Sequence, residues 1–311
     1  MAYLLLLQDI ADRALRRERM FRDHIDLFAE SDEFLLRRFR LTRPVLIDLC
    51  NQLEPALRSH TLRSNPVPPH VQVLSVLGFL ATGTFQRVLG DRVGISQPSI
   101  SRALPRVLDG INQLATQYIK FPYTPQYQVT VKRGFHNIAG LPNTIGAIDC
   151  THVSIKAPSP DSFPYLNRKQ YHSINVQLIS AGDAWLIGDR GYALAPWLLT
   201  PLTNPQTPQE MLYNQMHARS RCTIERTIGI LKGRWMCLDT AGGKLPYKPE
   251  RVCRIIMACC VLHNIAMKRG QTIFSPSTSA NERPSPDTAS TALVIASHIS
   301  FLLVPVYISS G

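Results

Sequence analysis

Apolar residues recur at three- and four-residue spacing through the first third of the chain, at Leu4-Leu7-Ile10-Ala11-Leu15 and again at Leu46-Leu49-Leu53, with few β-branched runs. That period turns one face of a helix toward a core, so residues up to about Pro122 are predicted to be helical. Ser31-Asp32-Glu33 supplies a helix start: a side chain that accepts a free backbone N–H, then acids that suit the positive end of the helix dipole. Pro66 to Pro69 breaks the pattern ahead of the apolar run Val71 to Leu80. From Ile145 the texture changes to short Ile/Val-rich segments separated by Pro, Asn and Gly, which predict strands. Helices follow around Glu225 and from Glu250 to Lys268. After Gly270 Ser, Thr, Pro and Asn dominate, a composition that buries too little surface to offset the entropy of ordering. No internal repeat interrupts this order.

Within the helical part, Arg87-Val88-Leu89-Gly90-Asp91-Arg92-Val93-Gly94-Ile95-Ser96-Gln97-Pro98-Ser99-Ile100-Ser101-Arg102 has the punctuation of a helix-turn-helix. Gly94 can take the left-handed conformation that stops a helix, Ser96 can cap the next one, and Pro98 falls in the first turn, where no intrahelical N–H bond is lost. Gln97, Ser99, Ser101, Arg102 and Arg106 then decorate the second helix, where they would reach bases and phosphates in a major groove. The plainer reading is an ordinary helical hairpin, and the pattern alone leaves both open.

Charge sharpens the choice of partner. Lys and Arg number 34 against 22 Asp and Glu, a net +12 with a pI near 9.6, which favours a polyanion: nucleic acid or an acidic membrane surface. At 311 residues and 45% hydrophobic content, two ordinary globular domains fit. The leucines of Met1 to Leu7 are followed at once by Asp9 and Asp12, which argues for a helix stripe over a secretory leader. Thr288 to Gly311 carries no charged side chain, but Ser297, His298, Ser300 and Pro305 interrupt it, so a tail anchor is not expected. Seven cysteines, an odd number without a C-x-x-C pair, suit a reducing compartment, cytosol or nucleus.

Asp149 and Asp189 each stand where a short apolar run meets Gly or Cys, the expected place for a carboxylate at the end of a buried strand. Glu225 lies at the edge of a helical stripe formed by Ile224, Ile228, Leu231 and Trp235. Three carboxylates delivered this way suit hard divalent ions such as Mg²⁺, and such sites perform phosphodiester chemistry. Taken singly, each has a plainer reading: a hydrogen-bonded Asp in a strand, or a Glu225 that pairs with Arg221 or Lys232 on its own helix face. His152 and His263 read as structural histidines. Arg168, Lys169, Arg219, Arg221, Arg226, Lys232 and Arg234 concentrate around the proposed cleft in a way that suits phosphate contacts. Arg37-Arg38-Phe39-Arg40 with Arg43 reads as a helix face before it reads as a nuclear import patch.

Several ordered blocks together resemble the Harbinger transposase-derived nucleases of the PIF/Harbinger DDE superfamily. They are Gly146-Ala147-Ile148-Asp149-Cys150-Thr151-His152, Lys156-Ala157-Pro158, Tyr165-Leu166-Asn167-Arg168-Lys169, His172-Ser173-Ile174-Asn175, Gly188-Asp189-Arg190-Gly191-Tyr192, Thr200-Pro201, Tyr213-Asn214, Ile224-Glu225-Arg226 and Cys259-Cys260-Val261-Leu262-His263-Asn264. The resemblance runs from about Phe34 to about Arg269. It implies an α+β protein: an N-terminal all-helical domain with the helix-turn-helix over 1–125, then a ribonuclease H-like DDE endonuclease domain over 126–270, then an atypical or disordered tail over 271–311. It also implies catalytic and metal-binding roles for Asp149, Asp189 and Glu225, with Mg²⁺ or Mn²⁺ as cofactor. DNA is the implied substrate, a Myb-like DNA-binding protein the implied partner, and the nucleus, with the cytoplasm second, the implied location.

One departure from the family matters. Between Asn175 and Trp185 the relatives carry the rest of a strand, a turn, another strand and a helix, whereas this chain has only Val176 to Ala184. Nine residues supply neither a hairpin nor a crossover helix, so the nuclease sheet is expected to be truncated and to lose scaffold that holds Asp149 near Asp189. Two functions follow: a metal-dependent DNA nuclease, or an inactive DNA-binding or partner-binding relic.

Overall fold

The computed structural model describes residues 26–58, 66–119, 124–158, 163–179, 185–271 and 302–305. The Leu4 to Leu15 stripe and most of the 271–311 tail, including the weighed tail anchor, lie outside the described residues.

Helix α1 (Asp32–Phe39) starts as expected, with the Ser31 hydroxyl accepting from the Phe34 N–H. Helix α2 (Arg43–Leu57) buries Leu46, Leu49 and Leu53, the periodic positions of the sequence. Helix α3 (Pro69–Thr82) begins at the proline cluster and is buried at every position from Val71 to Ala81, so it is the central rod of the helical part. Its neighbours are α1, α2, α4 (Gln86–Val93) and α5 (Gln97–Gln113). The one-turn α6 (Ala115–Tyr118) and α7 (Pro125–Ala139) lead into the sheet.

Five strands follow: β1 (Thr144–Ser154), β2 (Ser173–Ile179), β3 (Trp185–Ile187), β4 (Leu198–Leu199) and β5 (Leu302–Pro305), in the order β4-β3-β1-β2-β5. β3 runs parallel to β1 and to β4, whereas β2 runs antiparallel to β1 and to β5. The long α8 (Pro208–Arg234) opens with a reciprocal cap between Thr207 and Glu210 and lies against β1 and β3. Helix α9 (Pro249–Lys268) returns to pack on α5 and α6. One hydrophobic core runs from Leu27 through the helical part into Val153, Trp235 and Ala266. The architecture is thus α+β, as expected: a helical region, then a small mixed sheet with helices, consistent with a truncated ribonuclease H-like domain.

The short connection between β2 and β3 has a simple geometric resolution. Ile179 pairs with Ile148 on one side of β1, and Trp185 pairs with Thr144 on the other. Two strand spacings and a four-residue offset separate these ends by about 16 Å, and six Cα steps reach about 20 Å. Because β2 and β3 run in opposite directions, no parallel crossover helix is needed between them. The β1–β3 pairing therefore survives without the expected scaffold. On the far edge of β2, Leu302 to Pro305 pair with Ile179 to Val176, so four residues of a tail with a disordered composition form an edge strand. No described helix is long and apolar enough to cross a membrane.

Candidate active site

Strand register brings the two aspartates together. Ala147 pairs with Ile187, so Asp149 and Asp189, each two residues further on, stand on neighbouring parallel lines. Gly188 suits close packing, since a Cβ there would lie 3.0 Å from the Tyr192 ring and 3.1 Å from Ile148 Cγ2. Local backbone aims each carboxylate: Asp149 Oδ1 accepts from the Cys150 N–H at 2.8 Å, and Asp189 Oδ1 accepts from the Gly191 N–H at 2.9 Å.

Glu225 arrives from α8, whose Ile224, Ile228 and Leu231 are buried as the sequence stripe required, with Trp235 buried just beyond its end. One turn earlier, Arg221 joins helix to strand. Its Nη2 lies 2.5 Å from Glu225 Oε1 and its Nη1 lies 3.7 Å from Asp149 Oδ2. The Asp149 carboxyl is pushed above its ordinary pKa, first by burial and then by the charges of Asp189 and Glu225, against the Cys150 N–H and Arg221. Crowded, partly desolvated carboxylates are a donor set that suits a hard cation. As arranged, however, no three His, Cys, Asp or Glu among the described residues sit closely enough to hold a metal ion.

Beside Asp189 lies a cavity of about 410 Å³, lined also by Arg190, Pro201, Asn214, His217, Ala218 and Arg221. Its far wall is tied down by residues to which sequence reasoning assigned no role. Asn214 accepts from the Leu202 N–H and donates to the Leu202 carbonyl, at 2.9 and 3.0 Å. Tyr213 donates to the Thr200 carbonyl at 2.9 Å. His217 Nε2 lies 3.2 Å from the Leu199 carbonyl, and burial lowers its pKa, so the imidazole is neutral and donates there. Tyr192 places its hydroxyl 3.1 Å from Cys150 Sγ. The only signal for Tyr192, Tyr213 and Asn214 was their place in the ordered blocks.

The candidate DNA-contact residues divide by geometry. Gly94 closes α4 with φ 74° and Ser96 is the N-cap of α5, although its hydroxyl meets Ser99 Oγ at 2.9 Å and makes no cap bond to the backbone. Gln97 and Arg102 are exposed, Ser99 and Ser101 half-buried. Arg106 instead donates to the Leu57 and Ala56 carbonyls at 2.9 and 3.2 Å, closing the end of α2. Lys232 donates to the His152 carbonyl at 2.8 Å. Arg168 and Lys169 are exposed in a turn and, with Lys232 ahead of them, add to the burial that lowers the pKa of His152. Arg219 and Arg226 are exposed on α8. Arg234 departs from the surface reading: it is 3% exposed and donates to the Arg40 and Gln271 carbonyls. His152 meets Ser173 Oγ at 2.9 Å and His263 is buried in α9, both structural as read.

With the geometry established, comparison places the chain among known proteins. The profile described as DDE superfamily endonuclease matches residues 179–264. "Putative nuclease HARBI1" of Rattus norvegicus and of Homo sapiens are each 36% identical over 299 residues, covering 84% of this chain and 86% of the relative. "Protein ALP1-like" of Arabidopsis thaliana is 23% identical over 287 residues, covering 73% of this chain and 69% of the relative. No solved structure matches. The identity and coverage of the first two show that this chain belongs to the Harbinger transposase-derived nuclease family.

Proposed function

We propose that this chain is a divalent-metal-dependent nuclease that hydrolyses DNA phosphodiester bonds, with Asp149, Asp189 and Glu225 as the ligands of Mg²⁺ or Mn²⁺. The observation that carries this reading is the register of Asp149 beside Asp189 under the helix that bears Glu225. Nucleases of the DDE superfamily generally use divalent metals. Such an ion, when bound, lowers the pKa of an attacking water and offsets charge on the departing oxygen. The chain's own contribution is to hold three oxygen donors on rigid elements and to surround them with cations. Arg190 and Arg221 line the adjoining cavity, and Arg168, Lys169 and Lys232 extend the positive surface along β1. The exposed Gln97 and Arg102 on α5 fit a second DNA contact through the helix-turn-helix. A Myb-like partner that recruits the protein to DNA in the nucleus belongs to the same reading.

A second reading, an inactive DNA-binding or partner-binding relic, is favoured by one observation: the carboxylates are not drawn together into a three-ligand set. Plasmid cleavage at low salt with and without Mg²⁺ or Mn²⁺, on the full chain and on Asp149→Ala and Glu225→Ala, separates the two. Cleavage that needs metal and both carboxylates supports the nuclease. Salt-sensitive DNA binding without cleavage supports the relic.

A further inference from the structure

Arg221 occupies the space in which Asp149 and Glu225 would share a cation. Its two terminal nitrogens address both carboxylates, one across the sheet-to-helix gap and one along the helix. Helix energetics alone do not account for the pair. The favoured order of an i,i+4 ion pair puts the acid N-terminal to the base, and here the base comes first. A surface pair would also point outward, whereas the Arg221 side chain is 27% exposed and reaches back to a carboxylate that is 18% exposed. A guanidinium has donors only, so it neutralises the carboxylates without coordinating anything. Oxygen lone pairs turned toward it are not available to a metal.

Arg221 also lines the cavity beside Asp189, together with Arg190, Asn214 and the neutral His217. The lining itself thus presents two guanidinium groups and one carboxylate. A phosphodiester entering it would offer Arg221 a bidentate partner of the geometry guanidinium prefers. From this placement we infer that Arg221 is a gate: it closes the carboxylate site in the free protein and turns to a DNA phosphate when substrate arrives, which opens Asp149 and Glu225 to the metal. The inference rests on the metal-site reading proposed above. DNA and metal then bind cooperatively, and thermodynamic reciprocity requires each to tighten the other. Arg221 is a positioning residue for the metal ligands as well as a phosphate contact. A protein so built loads metal more weakly, and cleaves more slowly, until DNA is in place.

The test is Mn²⁺ affinity of the full chain, read from the free-ion electron paramagnetic resonance signal. It is measured with and without a short duplex at low temperature, with the doubly substituted Asp149→Ala, Glu225→Ala protein as background. For the unsubstituted chain, duplex should tighten Mn²⁺ binding about tenfold, within the usual range of coupling between sites. Arg221→Ala should bind Mn²⁺ about tenfold more tightly than the unsubstituted chain in the absence of DNA, with the effect of duplex falling below about twofold. Arg221→Met, which keeps the packing of the aliphatic stem, should behave as Arg221→Ala does and guards against a folding defect. If the unsubstituted chain binds Mn²⁺ through Asp149 and Glu225 but neither Arg221 variant binds it more tightly, the gate is wrong and the metal site stands. If no protein binds Mn²⁺ above background, the gate and the metal-site reading fall together.

Discussion

Asp149 and Asp189 each lie two residues beyond a directly paired couple, Ala147 and Ile187, on neighbouring parallel strands, near enough for the Asp189 charge to act on the Asp149 carboxyl. The short link between β2 and β3 leaves this relationship intact, because the strands it joins are antiparallel and lie on either side of β1. What a nuclease needs from the sheet at this point is the pairing of β1 with β3, and that pairing is present.

Neutralising Asp149 should separate activity from stability. Its folded-state pKa is raised, first by burial, so its ionised form is disfavoured in the native protein. The resulting loss of stability is absent below the ordinary carboxylate pKa and complete above the folded one. Asp149→Asn should therefore abolish metal-dependent cleavage while leaving the melting temperature at neutral pH unchanged or a few degrees higher. A large drop in melting temperature would assign Asp149 a structural role.

Acid should unfold the protein partly through His263. Burial, helped by Arg234, lowers its pKa to about 3 from the ordinary 6.5. The unfolded chain then binds the extra proton first, so stability rises with pH between these values by up to about 1.4 kcal/mol per unit for this group. Urea midpoints between pH 4 and 8 should fall on acidification, and His263→Gln should flatten that dependence.

The turn between α4 and α5 is set by two glycines. A Cβ on Gly90 would lie 2.6 Å from the Ile95 carbonyl oxygen, and Gly94 has φ 74°. Gly90→Ala should cost about 1 to 3 kcal/mol through forced displacement of the turn. Gly94→Ala should cost about 1 kcal/mol through backbone strain. Denaturant titration measures both.

DNA affinity should distinguish two arginines that look equivalent in sequence. Arg102→Ala should weaken binding and reduce the salt slope by about one counterion if its guanidinium meets a phosphate. Arg106→Ala should chiefly destabilise the fold, because Arg106 closes the carbonyl end of α2. Filter binding across a salt series, with a melt of each variant, gives the comparison.

Removing residues 302–311 should uncover the outer edge of β2, which pairs with β5 from Val176 to Ile179. An unpaired edge invites intermolecular pairing. Faster amide exchange at β2 and a concentration-dependent increase in particle size are the expected results, read by exchange mass spectrometry and light scattering.

Much of the molecule was legible from residue order because it depends on local chemistry. The 3.6-residue period of α2 and α8, the Ser31 cap, the left-handed stop at Gly94 and the proline start of α3 are properties of short segments and hold wherever those segments fold. The three carboxylates were also legible, through the blocks in which they stand. Other features depend on which distant segments meet. Arg106 closes α2 across forty-eight or more positions, and Arg234 reaches Arg40 and Gln271 from a buried place its charge did not suggest. The union of Asp149, Arg221 and Glu225 depends on the angle at which α8 crosses β1, and the sufficiency of the short β2–β3 link depends on strand direction. Local propensity encodes neither, so residue order named the carboxylates, and only the packing of helix on sheet decided that an arginine would stand between them.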